Sequence, residues 1–196
     1  MTDTHCHLSF LQYDADRDAV RERAGIAGVK TIINPGTDLA QSRAAVALAE
    51  RYDNVVAGVG VHPQDVAGLT EDDFIVLAEL ARHPRVVAIG EVGLELSSRA
   101  AELALQKEWL VRFVHLAQEV GKPLIFHVRE AHPAFRAFLD ARGEGTRGVV
   151  HCFSGMPDEA RFYTARGLLL GVTGVVTFPN ASQLRQVVEE TPLESL

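Results

Sequence analysis

Seven extended runs, all but the first apolar, each followed by a polar or helix-period stretch, limit most tightly what this 196-residue chain can fold into. The runs are Asp3-Thr4-His5-Cys6-His7, Val29–Asn34, Val55–Pro63, Val86–Glu91, Pro123–Val128, Gly148–Phe153 and Leu168–Val176. Helices are predicted at Ala15–Ala27, Leu39–Tyr52, from Thr70 to Arg82, at Ala100–Val120, from Ala131, from Pro157 and at Asn180–Glu190. Thr70-Glu71-Asp72-Asp73 has the form of an N-cap followed by an acidic first turn. Trp109, Leu110, Phe113, Val114 and Ala117 keep the three-four spacing of one buried helical face. Strands that are apolar nearly throughout belong to a parallel sheet covered by helices. The series therefore predicts an α/β fold, a TIM-type (β/α)8 barrel with seven β/α units and the eighth missing. Residues 1–196 read as one barrel domain. No Gly-rich dinucleotide fingerprint follows the first run, which argues against an open nucleotide-binding sheet.

Composition sets the class of partner. At 47% hydrophobic and 23% charged, the chain has the make-up of a globular domain. No signal peptide is expected and no apolar run is long enough to span a bilayer, so no membrane partner is expected. The two cysteines, Cys6 and Cys152, each adjoin a histidine, which suits a reducing cytoplasm better than a disulfide framework. A net charge of −7 argues against a protein that coats DNA through a broad basic surface. It leaves room for an enzyme that holds a few phosphates through metal ions.

Chemistry collects at the carboxyl ends of the predicted strands, where barrels of this class place it. The first run supplies His5 and His7, at alternate positions and so on one face. The third supplies His62, the fourth Glu91, the fifth His127 and the sixth His151. Any one of these could instead cap a backbone carbonyl, and for His62 that reading stands beside the functional one. The set His5, His7, Glu91, His127 and His151 repeats the coincidence too often for capping. Four imidazoles and a carboxylate can hold a pair of divalent ions, with Glu91 bridging through its two oxygens. His83 and His115 fall within helical stretches and are expected to be surface or packing residues.

Asp-Thr-His-Cys-His-Leu, Gly-Val-His-Pro, Ile-Gly-Glu-Val-Gly-Leu, Phe-His-Val-Arg-Glu-Ala and His-Cys-Phe-Ser-Gly occur in that order. Together they resemble the motifs of TatD-type deoxyribonucleases, metal-dependent hydrolases with amidohydrolase-like barrels. The likeness runs from Thr2 to the last residue. It implies a two-metal nuclease that cleaves DNA phosphodiester bonds, as a 3′-5′ exonuclease on single strands or 3′ ends. By the same match His5, His7 and Glu91 would hold one ion, and Glu91, His127 and His151 the other. Glu91 is then the candidate catalytic residue, and His62 and Arg129 would face the substrate phosphate. A planar guanidinium suits phosphate oxygens in any case, although Arg129 could equally pair with Glu130. The metal's identity stays open: imidazoles favour Zn²⁺, phosphate chemistry Mg²⁺ or Mn²⁺.

Two departures from the family pattern bear on function. After the fourth run the family shows Gly-Leu-Asp and aromatics, whereas here Glu95-Leu96-Ser97-Ser98 follows Gly-Leu. A longer carboxylate and lost aromatic surface are expected to alter substrate fit. The family also continues past the segment Thr191–Leu196 into a strand ending Glu-Thr-Asp, whose aspartate completes the first metal site and orients the attacking water. Without it, weak turnover and self-association through open barrel edges are expected. Two other readings remain open at this point. One is an amidohydrolase acting on a small amide or lactone, although Glu91 stands where many of those carry a modified lysine. The other is a metal-binding pseudoenzyme.

Overall fold

The structure, a computed structural model, describes residues 1–97 and 100–196. The strands are β1 (Thr2–Asp3), β2 (Thr31–Asn34), β3 (Val55–Val59), β4 (Val86–Glu95), β5 (Leu124–Arg129), β6 (Gly148–Val150) and β7 (Leu169–Leu170). They alternate with α1 (Arg17–Ile26), α2 (Leu39–Arg51), α3 (Glu71–Leu80), α4 (Leu103–Val120), α5 (His132–Arg142), α6 (Pro157–Thr164) and α7 (Ser182–Glu190). All seven strands lie in one parallel sheet in the order β1-β2-β3-β4-β5-β6-β7. An order that never reverses is that of a singly wound barrel wall, since a doubly wound sheet needs a switch point. The fold is thus a partial TIM-type barrel, as predicted. A groove of about 820 Å³ between its two end strands is lined by Thr2, Thr4, Leu124, Val149 and Leu170.

Helix boundaries follow local chemistry. Thr70 caps α3, its hydroxyl accepting from Asp73 N while the Asp73 carboxylate accepts from Thr70 N. Such a capping box satisfies two orphan amides at once. At the other end of the longest helix, α4, Gly121 takes the left-handed conformation (φ 68°) that stops the helix. The buried face of α4 carries Gln106, Trp109, Leu110, Phe113, Val114, Leu116 and Ala117. Phe113 sits at the centre of a core that β3, β4, β5 and their helices share. Truncating a buried phenylalanine of this kind to alanine costs about 3–5 kcal/mol. A smaller cluster, Leu8, Ile32, Leu48, Tyr52 and Val55, packs beneath β2.

Several predicted strands differ from the observed ones: the third stops at Val59 rather than Pro63 and the sixth at Val150 rather than Phe153, and three others differ more instructively. The first pairs only over Thr2–Asp3; beyond it His5 N donates to Asp3 Oδ1 and Cys6 N to Ile33 O. His5 and His7 therefore sit just past the strand. The seventh is Leu169–Leu170 rather than Leu168–Val176, because the chain turns into a 3₁₀ segment at Gly174–Thr177. The fourth is longer than predicted and continues past Glu91 to Glu95. Gly93 looks like a breaker in sequence, yet a Cβ there would lie 1.9 Å from His127 O. Its φ of 154° and missing side chain are what let β4 keep pairing with β5.

Candidate metal centre

Five of the seven strands, or the residues just past them, deliver a side chain to one place. Glu91 lies at an irregularity in the pairing of β4 with β5 between Ile89 and Val92, with its amide donating to Gly36 O. The residue is 3% exposed, and its two oxygens face different partners. Oε1 lies 2.6 Å from His151 Nε2 and 2.9 Å from His127 Nδ1. Oε2 lies 3.2 Å from His5 Nε2 and 3.4 Å from His7 Nε2. The rings of His5 and His151 stack at 3.9 Å, and those of His5 and His7 meet edge to face at 4.8 Å. The structure thus brings together all five residues of the predicted set. Beside them a cleft of about 240 Å³ opens, lined in part by Asp3, Thr4, Cys152 and Thr173.

The electrostatics follow from burial. Burial alone pushes the Glu91 carboxyl up, but hydrogen bonds from His127, His151, His5 and His7 outweigh it and hold the group well below its usual range. Burial lowers His5, against an opposing hydrogen bond that the ring donates to Glu91. His62 is lowered to about 4, first by burial and then by the charge of His127. Its Nδ1 accepts from Gln64 N at 3.2 Å, so the ring proton belongs on Nε2. That nitrogen points toward both Glu91 Oε1 and Glu95 Oε2, 3.7 Å from each. His62 is a neutral donor aimed into the site.

Sequence reasoning did not place Glu95 here. The longer carboxylate is expected to alter substrate fit, and the structure buries it completely, at 0% exposure. Oε2 lies 3.0 Å from His127 Nε2, and Oε1 accepts from Gln64 Nε2 at 2.8 Å. Burial raises its carboxyl, yet hydrogen bonds from Ser97 and Gln64 leave it lowered overall. Glu91, Gly93 and Glu95 alternate in sequence, which turns both carboxylates to one face once β4 is known to continue. Ser98, the last residue of that departure, lies outside the described residues.

Arg129 ends β5 with an exposed side chain that makes no ion pair with Glu130 or any other described residue. His83 bonds Glu50 Oε1 at 3.1 Å and His115 is exposed on α4, both apart from the site. The one histidine left unassigned by sequence, His132, is buried with Nδ1 2.9 Å from Tyr163 OH. Cys6 and Cys152 are unpaired thiols.

The residues present fit divalent cations. Among the described residues, Glu91 and Glu95 have only imidazoles as ion-pair partners and no Lys or Arg within 4.0 Å. Two buried anions with no Lys or Arg beside them leave negative charge that a cation would offset. His5, Glu91 and His151 lie close enough together to share one ion; His62, Glu95 and His127 are as close to one another, but the His62 nitrogen that faces Glu95 carries the ring proton.

Residues 2–196 match the family described as TatD related DNase. The chain belongs to that family. It is 38% identical over 195 residues to the uncharacterized metal-dependent hydrolase YabD of Bacillus subtilis, covering 99% of this chain and 76% of that protein. It is 37% identical over 198 residues to the 3′-5′ ssDNA/RNA exonuclease TatD of Cronobacter sakazakii, covering 100% of this chain and 75% of that one. The crystal structure of YjjV, a TatD homolog from Escherichia coli, superposes with a TM-score of 0.90 at 34% identity, covering 100% and 76% of the two chains. This TatD-family chain is accordingly a member of a family of metal-dependent hydrolases, some of whose members are named as nucleases. No helix among the described residues is long and apolar enough to cross a membrane.

Proposed function

We propose that the chain is a divalent-metal hydrolase that cleaves nucleic-acid phosphodiester bonds from the 3′ end of single strands. One observation carries this reading: the buried Glu91 carboxylate splits its oxygens between two pairs of imidazoles. That split suits a bridge between two ions, with His5 and His7 on one side and His127 and His151 on the other. When bound, such a pair of ions supplies Lewis acidity and charge neutralisation for an in-line displacement at phosphorus. The remaining work falls to the chain itself. His62, neutral and carrying its proton on Nε2, donates a hydrogen bond to a phosphate oxygen. The exposed Arg129 guanidinium, with no competing acidic partner among the described residues, engages another oxygen and orients the strand. Mg²⁺, Mn²⁺ and Zn²⁺ all suit the donor set, and DNA is the substrate of choice by likeness to the exonuclease relative.

The same reading treats residues 1–196 as one domain in the cytoplasm, where Cys6 and Cys152 stay thiols. It also has β1 and β7, each paired on one side only, as the edges through which copies associate. Size-exclusion chromatography over a concentration series tests the association, and a strictly monomeric profile would remove it.

The deciding experiment compares single-stranded DNA labelled at the 5′ or 3′ end, a small lactone and a simple phosphodiester, each with Mn²⁺ or Mg²⁺. Stepwise shortening of the 5′-labelled strand with early release of a 3′ label is the expected result. Lactone turnover in its place would make the protein an amidohydrolase. Metal binding without any turnover would make it a binding protein.

A further inference from the structure

The two ring nitrogens of His127 face two different carboxylates. Nδ1 is 2.9 Å from Glu91 Oε1 and 3.2 Å from His151 Nε2, inside the histidine cluster. Nε2 is 3.0 Å from Glu95 Oε2, behind it. Neither Nε2 nor Oε2 finds an aligned hydrogen bond, although both are buried. Their separation is that of a hydrogen bond and only the angle fails, so a small rotation of the imidazole would satisfy both atoms.

We propose that Glu95 is a positioning residue for His127: it accepts the Nε2 proton and so presents the Nδ1 lone pair to the ion beside Glu91. The proposal rests on the metal-hydrolase reading above and adds to it. A neutral imidazole carries one proton, so the acceptor at one nitrogen decides which nitrogen is free to ligate. His5 and His7 lack this device, since Nδ1 of each is buried with no hydrogen-bond partner among the described residues.

Glu95 is itself held at both its carboxylate and its backbone. Gln64 Nε2 donates to Oε1 at 2.8 Å. Gln106, reaching from α4, donates through Nε2 to Glu95 O and accepts from Glu95 N through Oε1, both at 2.8 Å. Gln106 thereby ties the end of β4 to α4, its Nε2 donating to Ala101 O as well. Zero exposure of Glu95 keeps water from competing for the carboxylate. Glu95 and His127 also lie on neighbouring strands, where Gly93 pairs with His127 and Glu95 with Arg129. The hydrogen-bonded ladder therefore sets their separation, with no flexible loop involved.

The test titrates Mn²⁺ and Co²⁺ into the intact chain, its Glu95→Gln variant and its Gln64→Ala variant, with ion number, affinity and the visible Co²⁺ spectrum as readouts. Wild type that binds no ion would sink the metal-hydrolase reading itself, whatever the variants do. Given binding, Glu95→Gln should take up the same number of ions, one of them on the order of 10–100-fold more weakly, with an altered Co²⁺ spectrum. Gln64→Ala, which frees the carboxylate on its far side, should move the same ion in the same direction by less. If Glu95→Gln fails to fold, Gln64→Ala decides alone. Unchanged affinity and spectrum in a folded variant would overturn the proposal. Loss of one whole ion from Glu95→Gln would also overturn it, by making Glu95 a ligand.

Discussion

Glu91 and Glu95 stand four residues apart on one strand, both buried and both held below the usual carboxylate range, yet their surroundings differ. Glu91 is surrounded by imidazole nitrogens on both oxygens. Glu95 meets imidazoles on one oxygen only and is tied down elsewhere by two glutamine amides. The contrast teaches that burial alone does not define a metal ligand. What separates the two is how their oxygens are partnered: both oxygens of Glu91 face imidazoles alone, whereas one oxygen of Glu95 is taken by the Gln64 amide. One carboxylate is placed to share a cation and the other to steer a ring.

The contrast can be broken by experiment, and Glu91→Ala should show the largest effect. It removes the only carboxylate among the described residues that four imidazoles share, so bound metal should fall in equilibrium dialysis and turnover of single-stranded DNA should drop by at least ~10²-fold. Equal metal content in variant and wild type would remove Glu91 from its bridging role. Glu95→Gln should instead keep the ions and weaken one of them, so the two variants must differ in stoichiometry for the comparison to stand.

Acid separates the groups by window. His62, lowered to about 4 from an ordinary 6.5, stays neutral in the folded chain while the unfolded chain takes up its proton. In chelator-treated protein its contribution is therefore intact above pH 6.5 and is lost as pH falls toward 4. It is worth on the order of 1–3 kcal/mol. The lowered carboxyls of Glu91 and Glu95 act later, their contribution draining away only as pH falls below about 4.5. Denaturant unfolding across pH 4–7 checks this, and His62→Gln should flatten the upper window and leave the lower one. An unaltered slope in that variant would refute the assignment.

Gln106→Ala should give the smallest change and sharpen the comparison from the other side. It leaves Glu95 N and O without partners, a cost of about 1–3 kcal/mol in denaturant unfolding. Metal affinity should fall less than in Glu95→Gln, because the carboxylate itself remains. If Gln106→Ala weakened metal as much as Glu91→Ala, the division between the two carboxylates would not hold.

The amino-acid sequence by itself determined the seven β/α units, the helix faces such as Trp109–Phe113, and the histidines that end the strands. Those features are local: period, polarity and caps act within a few residues of chain. It located Glu91 for the same reason, as the polar residue ending an apolar run. Tertiary structure alone decided that β4 runs on to Glu95, because only the approach of His127 O explains why Gly93 continues a strand instead of breaking it. It alone decided that β1 and β7 are short, that His132 meets Tyr163, and which nitrogen of His127 faces which carboxylate. Those outcomes depend on register between strands and on partners more than 20 residues away in the chain, such as Tyr163 for His132 and Glu91 for His127. A local pattern carries no information about such distances; the ladder of parallel strands creates them.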